Sequence, residues 1–483
     1  MQMIILMVFA VVLSLSPADT PRVIHAGWPL LTASIVLYLA VTAAVTAGIT
    51  TAGVRRLLRA EGRFRTIVHR HHRRLVLAHL WLPAGAAGLV AIGMTDRLGA
   101  IPYLSLVPLF EETVVLGVFL AALVIHWAIG YRFDRMVRWQ VEQDLMLAGM
   151  PVRAGWSRRE YLGFNLRHHF LFVAVPVGLI MFAHELVDLA APALLPDGAV
   201  LPASVAAKGV AVAAVFFFSP SLLIRVWRTR PLPDGPLRRR LERLCERVGL
   251  RYRQIRIWDT GGVLVNAGVM GLHRAVRYIM ISDALLEQMD DRQIVAVFGH
   301  EAGHVKQHHM SYFLLFIVAA MVVNIALVSA GGAAAEALGV AAGRVMIAEN
   351  VAMALLVILT IGVGFGWLSR QFERQSDVYG AWCSSLDAAA EDARTDPADG
   401  DLAVGAPWFI MALQNIARLN GIPPRGRNWR HGSIATRVAF LSHWMRTGRT
   451  RQDFDRQIVR IKRLGWVLAA VAILGAALTW SRW

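Results

Sequence analysis

Two cysteines, Cys245 and Cys383, are all that 483 residues contain, too few for a disulfide framework or a thiolate zinc site, so both read as free thiols in a reducing compartment. Charge is sparse too. Only 17% of residues are charged while 56% are hydrophobic, a balance too apolar for an ordinary soluble chain and typical of a membrane protein. Acidic residues are the scarcer sign, 33 against 50 Lys and Arg, which leaves a net charge of +17. A surplus of that size fits nucleic acid in principle. The arginines, however, cluster just outside apolar segments, where the positive-inside rule places them, so the expected partner is a lipid bilayer and no nucleic acid. No internal repeat is found.

Long apolar runs are plentiful. Met3–Leu15 is short and lacks a basic leader; it reads as a marginal first membrane segment, with a signal peptide as the alternative. Trp28–Gly53, Leu75–Met94, Thr113–Tyr131, His169–Ala191 and Val205–Trp227 each approach the ~20 residues that cross a hydrocarbon core. The loop Arg55–Arg74 carries eight arginines against one glutamate and is expected in the cytoplasm. Its histidines, His69, His71 and His72, are diluted among arginines and read as a solvated, lipid-facing surface rather than a metal tract. Counting spans outward from that loop places Arg132–Arg167 and the arginines from Arg225 onward on the same side.

A soluble segment follows. Arg230–Pro236 is a proline-punctuated linker, and a basic amphipathic helix runs on to Leu250. Arg253–Trp258, Val263–Val269 and Val276–Ser282 alternate in strand fashion and predict a small antiparallel sheet. Asp283 and Asp290 are placed to cap two successive helices. The second helix carries VFGHEAGHVKQHH, Val297–His309. This is H-E-x-x-H on a helix: His300 and His304 stack on one face with Cβ atoms roughly 5–6 Å apart, close enough to hold one zinc ion, and Glu301 lies beside that face as a candidate general base. His308 continues the ladder by four more residues, but it stands about 12 Å along the axis from His300, too far for the same ion unless the helix breaks.

Ser311–Ala330 and Asn350–Leu368 predict a two-span hairpin that returns the chain to the side of the H-E-x-x-H helix. There Glu373 and Asp377, in SRQFERQSDVYG, share a helix face. Glu373 is a candidate third zinc ligand and Asp377 a candidate partner for the free N–H of a ligating histidine. E-x-x-x-D on its own equally describes a solvated helix. Asp387–Asp401 reads as a mobile acidic surface loop, and Trp408–Asn420 as a helix. In His431–Leu441, His431 and Arg437 are candidates to assist a substrate carbonyl or an oxyanion; a helix-start histidine and a surface arginine describe them as well. Leu464–Trp480 is a final apolar segment behind Arg460, Lys462 and Arg463.

Three of these blocks, in order, resemble the integral-membrane zinc endopeptidases that include the CAAX prenyl endopeptidases and HtpX. Asn266 and Ala267 with ISDALLEQMDDRQIVAVFGHEAGHVKQHH are similar to that family's edge strand, capped helix and H-E-x-x-H helix. FERQSDVYGA is similar to its third-ligand helix, and HGSIATRV to its downstream His-and-Arg block. The resemblance implies one Zn²⁺ per chain held by His300, His304 and Glu373, Glu301 as base, and Asn266, Ala267, His431 and Arg437 along the substrate cleft, with His431 counted among the catalytic groups. Ser376 stands where the family usually has Ala, and Gly432 where it usually has Pro.

The expected architecture is therefore a mostly α, polytopic membrane protein of about nine spans with a small α+β, gluzincin-like zinc-peptidase domain on its cytoplasmic face. Its expected parts are an N-terminal membrane domain over 1–229, a peptidase part over 230–310, a two-span hairpin over 311–368, a third-ligand and cleft region over 369–459 and a C-terminal span over 460–483. The expected activity is zinc-dependent hydrolysis of peptides or membrane proteins, in a bacterial-type inner or plasma membrane. The rival expectations are a signal-transducing metalloprotease with one dedicated partner and a catalytically silent scaffold or transporter.

Overall fold

The structure, a computed structural model, describes residues 26–59, 64–104, 107–147, 149, 155–391, 402–426 and 428–480. The expected first segment, Met3–Leu15, lies outside them. The chain divides into two compact units, Met1–Arg230 with Trp258–Val263, and Pro231–Ile257 with Leu264–Trp483.

The first unit is helical: α1 (Trp28–Arg59), α2 (Phe64–Ala91), the short α3 (Met94–Gly99), α4 (Phe110–Leu147), α5 (Arg158–Asn165), α6 (Phe172–Leu194) and α7 (Asp197–Val226), with a π-helical stretch, Leu166–Leu171, joining α5 to α6. Its core gathers Leu31, Tyr38, Leu82, Phe119 and Trp127 from α1, α2 and α4. Several polar groups on these helices are hydrogen-bonded, as a low-dielectric interior favours. Tyr38 donates to the carbonyl of Leu82 at 2.8 Å, Thr42 donates to the carbonyl of Tyr38 at 2.7 Å, and Thr46 Oγ1 lies 3.0 Å from His126 Nδ1. The outward faces keep Leu37, Leu80 and Phe182 exposed, which suits helices whose solvent is lipid.

A four-stranded sheet follows in the order β1 (Thr229–Pro231), β2 (Gln254–Trp258), β4 (Tyr278–Ser282), β3 (Ala267–Met270). The short β1 extends the three strands expected. β3 lies on an edge and pairs antiparallel with β4 in the register Ala267↔Ile281 through Met270↔Tyr278. The segment Val263–Asn266, expected as strand, is instead pinned irregular backbone: Asn420 accepts from the Val265 N–H at 3.1 Å and donates to the Val265 carbonyl at 2.8 Å. Between β1 and β2 comes α8 (Pro236–Arg247).

The caps differ from expectation at one position. Ser282, not Asp283, begins α9 (Asp283–Gln288), because its hydroxyl can accept from the Leu285 N–H three residues on at 3.1 Å. Asp290 caps α10 (Asp291–Lys306) by accepting from the Gln293 N–H at 2.8 Å. After α10 the chain enters α11 (His309–Ala337), then α12 (Ala342–Leu359), a π-helical stretch Thr360–Phe365, and α13 (Gly366–Glu391). The expected second span of the hairpin and the third-ligand helix are thus one continuous rod, Ala342–Ala390. A π stretch inserts a residue into the helical repeat and so resets the face that α13 presents below it. Nor does the acidic loop begin at Asp387. Asp387 is still helical and buried, and Arg240 of α8 donates to both of its oxygens; residues 392–401 lie outside those described. The chain closes with α14 (Gly405–Leu419), α15 (Ile434–Arg446) and α16 (Arg451–Trp480).

Seven helices among the described residues are long and apolar enough to cross a membrane: Trp28–Arg59, Thr66–Ala91, Phe110–Leu147, Arg158–Leu194, Gly198–Val226, His309–Ala337 and Ala342–Ala390. The expected Leu464–Trp480 segment forms the second half of α16. Within the hairpin, Asn324 donates to Thr360 Oγ1 at 3.3 Å, a polar link of about 1 kcal/mol between its helices.

Candidate metal centre

The α10 helix is buried along most of its length, and its most extensive helix partner is α13. Glycines make the approach close. A Cβ on Gly299 would stand 2.6 Å from Cys383 Cβ, and one on Gly303 would stand 3.0 Å from Tyr379 Cβ and 3.1 Å from Ser376 Cα. Side chains there would hold the two backbones apart. Gly380 repeats the device from the α13 side, where a Cβ would meet the His300 backbone nitrogen at 3.0 Å. The consequence is that short side chains on α13 reach the histidines of α10.

His300 Nε2 and His304 Nε2 lie 3.2 Å apart. Glu373 Oε2 lies 3.6 Å from His300 Nε2, and Glu373 Oε1 3.6 Å from His304 Nε2. One donor atom from each residue falls within 4.8 Å of the others, the single such cluster of three or more metal-ligating side chains among the described residues. Glu373 Oε2 is buried without a hydrogen-bond partner. Two imidazole nitrogens and a buried carboxylate oxygen without a hydrogen bond, facing one another, form a set of electron-pair donors that a cation satisfies, and His₂Glu is a donor set zinc takes. The residues present fit the metal.

A ring of charge surrounds them. Asp377 Oδ1 lies 3.0 Å from His300 Nδ1, although off the line of its N–H bond. Arg437 donates through Nε to Asp377 Oδ2 at 2.9 Å and through Nη2 to Asp377 Oδ1, and its Nη1 lies 3.5 Å from Glu373 Oε2. His431 Nδ1 lies 2.7 Å from Glu373 Oε1. Burial alone would raise both carboxyls, but the hydrogen bond from His431 and the charge of Arg437 hold Glu373 well below the usual carboxylate range, and Arg437 does the same for Asp377. Burial pushes the His304 imidazole down to about 3. Burial opposes protonation of His300 as well, yet the Asp377 carboxylate beside it outweighs that and raises it. Glu301 feels His300, Glu373, His431 and Arg437, but burial dominates and lifts its carboxyl to about 7.

The structure thus gathers His300, Glu301, His304, Glu373, Asp377, His431 and Arg437 in one place. His431 remains on the open side, with 43% of its side chain exposed. Arg437 is buried on the two carboxylates of α13, a different posture from lining a cleft. Ala267 begins the edge strand β3, which packs against α10, and Asn266 precedes it. The Asn266 side chain is exposed, its N–H donates to Ser282 Oγ at 3.0 Å and its carbonyl accepts from the Ser282 N–H at 2.9 Å. His308 is exposed and at the end of the helix, away from the cluster.

Three residues at this site escaped the sequence reading. His309 Nδ1 lies 3.0 Å from His304 Nδ1, Gln375 Oε1 lies 2.8 Å from His309 Nε2, and Gln375 donates to Asp455 Oδ1 at 2.6 Å. His309 follows the motif directly and was visible as one of two adjacent histidines. Nothing local marks Gln375 or Asp455.

Residues 231–396 match peptidase family M48. The chain is 33% identical over 90 residues to the CAAX prenyl protease 1 homolog of Arabidopsis thaliana, covering 18% of this chain and 21% of that protein. It is 30% identical over 155 residues to the Protease HtpX homolog of Aeropyrum pernix, covering 29% and 48% respectively. With CAAX prenyl protease 1 of Saccharomyces cerevisiae the identity is 32% over 88 residues, or 18% and 19%. The chain therefore spans from about a fifth to about half the length of these relatives. The crystal structure of S. mikatae Ste24p superposes with a TM-score of 0.46 at 14% identity, covering 88% of this chain and 100% of that one.

Proposed function

We propose that this chain, which belongs to peptidase family M48 through residues 231–396, is a membrane-embedded zinc endopeptidase that hydrolyses peptide bonds in membrane proteins or peptides. The observation that carries the reading is the convergence of His300, His304 and Glu373 on one point beside Glu301. In this reading those three side chains hold one zinc ion, which supplies Lewis acidity toward water and the scissile carbonyl.

The chain's own residues do the rest. Glu301 takes a proton from the attacking water as its oxygen bonds to the carbonyl carbon, then gives that proton to the departing amine as the C–N bond breaks. A carboxyl whose burial brings it to about 7 exchanges a proton in both directions at neutral pH. His431 donates through Nδ1 to Glu373 Oε1, so its Nε2 donates to the developing oxyanion in the imidazolium form, which carries a proton on both nitrogens. Arg437 clamps Asp377 and Glu373 and thereby fixes the face of α13 that carries the third ligand. Ala267 begins, and Asn266 immediately precedes, an edge strand on which an extended substrate backbone can add: Gly268 and Met270 continue the inward bonding begun at Asn266, and period-2 alternation turns the backbone groups of Ala267 and Val269 outward.

The arginine-rich stretch Arg55–Arg74, expected as a loop but helical over 55–59 and 64–74, supports a cytoplasmic position for the site. The test is direct: purified full-length protein should carry one zinc per chain and cleave casein or a misfolded membrane protein, and Glu301→Gln should keep the zinc while losing at least about 10²-fold in turnover. Near-normal cleavage by that variant refutes the mechanism.

A further inference from the structure

We propose that His309 is a positioning residue that fixes which nitrogen of His304 faces the metal, through a relay that ends on Asp455; the inference rests on the metal reading of His300, His304 and Glu373. The direction of every bond follows from the far end. Asp455, on α16, is paired with Arg451 at 3.0 Å, and its Oδ2 also lies within reach of Gln307 Nε2 at 3.4 Å. A carboxylate only accepts, so the Gln375 group 2.6 Å from Asp455 Oδ1 must be the amide nitrogen. Its carbonyl oxygen then faces His309 Nε2 at 2.8 Å, and an amide oxygen also only accepts. The His309 proton therefore sits on Nε2, and Nδ1 carries a lone pair.

That lone pair lies 3.0 Å from His304 Nδ1 and 3.4 Å from Ser376 Oγ. His304 must supply the proton from Nδ1, which leaves its Nε2 lone pair pointing at His300 Nε2 and Glu373. For His300 the same task falls to Asp377. The two ligand histidines are thus oriented by different devices, a carboxylate 3.0 Å away for one and a neutral ring backed by an amide and a carboxylate for the other.

The backbone is shaped to deliver His309. In an unbroken helix, five residues beyond His304 is a rotation of about 140° to the far side. The helix breaks instead: His308 takes a left-handed conformation with φ 56°, uncommon for a residue with a side chain, and α11 restarts at His309. The His309 ring is fully buried and stacked on Phe372, with centroids 4.2 Å apart, next to the third ligand Glu373. Nothing else in the mechanism uses this ring.

The test uses full-length protein in detergent micelles, with zinc affinity measured by chelator competition and the cobalt-substituted absorption spectrum as a second readout. His309→Phe keeps the stack and removes the acceptor; it should weaken zinc about 10–100-fold and shift the cobalt bands. His309→Asn places an amide oxygen near the position of Nδ1 and should restore affinity to within about threefold of wild type, since the His304 proton again has an acceptor. Gln375→Met leaves the ring in place but frees its tautomer, and should weaken zinc by an intermediate factor. Wild-type affinity in His309→Phe overturns the proposal, as does an equal loss in the Phe and Asn variants, which would assign the effect to packing. Should the Phe variant fail to fold, unchanged affinity in Gln375→Met overturns it equally. Wild-type protein that binds no zinc sinks the metal reading and this inference together, whereas zinc held equally by wild type and His309→Phe sinks the inference alone.

Discussion

Gly299→Ala places one methyl group at the tightest point of the α10–α13 contact. The new Cβ would stand 2.6 Å from Cys383 Cβ and 3.2 Å from Gly380 Cα, where carbon atoms prefer about 3.5–4.0 Å. Neither neighbour is the free end of a flexible side chain, so a backbone has to move by about 1 Å. Two opposing terms set the stability. Replacing glycine inside a helix gains about 1 kcal/mol of backbone entropy, and overpacking costs about 1–3 kcal/mol. The net is a loss of up to about 2 kcal/mol, read as a lower unfolding midpoint of the purified protein.

The effect on the site should be larger than the effect on stability. Glu373 and Asp377 ride on α13 while His300 and His304 ride on α10, so a displacement of about 1 Å misaligns the ligand set and is expected to cost about 10²-fold in turnover, with weaker zinc. Cys383→Gly in the same chain removes the opposing Cβ and should recover part of both losses. Gly117→Ala is the control: no atom lies within 4 Å of its added Cβ, so the variant should be neutral or stabilised by up to about 1 kcal/mol. Gly299→Ala with unchanged unfolding midpoint, zinc and turnover would refute the argument that close approach of these helices builds the site.

Metal analysis of purified variants distinguishes the ligands: Glu373→Ala should lose stoichiometric zinc, Asp377→Ala should weaken it about 10–100-fold, and His308→Ala should retain it; zinc lost from the His308 variant but kept in the Glu373 variant contradicts the assignment. The pH profile follows from Glu301, whose carboxyl burial lifts to about 7. A general base works only when ionised, and a bound cation favours the ionised form, so kcat/KM should fall with acid through a midpoint at or below about 7; an acid limb well above that value argues for another base. Topology is checked with a cysteine placed in the arginine-rich stretch Arg55–Arg74, against a background of two buried native thiols. A membrane-impermeant reagent should label it only after cells are opened, and labelling in intact cells reverses the assigned side.

What the sequence by itself determined was local and periodic. The apolar runs gave the membrane helices because about 20 residues must satisfy every backbone group within lipid, and H-E-x-x-H paired His300 with His304 because an i,i+4 spacing is fixed by the helix. Glu373 was legible as a candidate through its block. Arg437 was legible as a residue but not in its posture, since nothing in the spacing tells a surface arginine from one buried against Asp377 and Glu373. The join of α12 to α13 was decided in three dimensions, because a π stretch and a boundary between lipid and protein look alike in a hydropathy profile. So was the backing of His304. Whether His308 or His309 faces it depends on one left-handed residue that breaks the helix, and Gln375 and Asp455 reach the site only because α13 and α16 pack there; hydrogen bonds between residues 80 apart in the chain follow from that packing and leave no mark in local sequence.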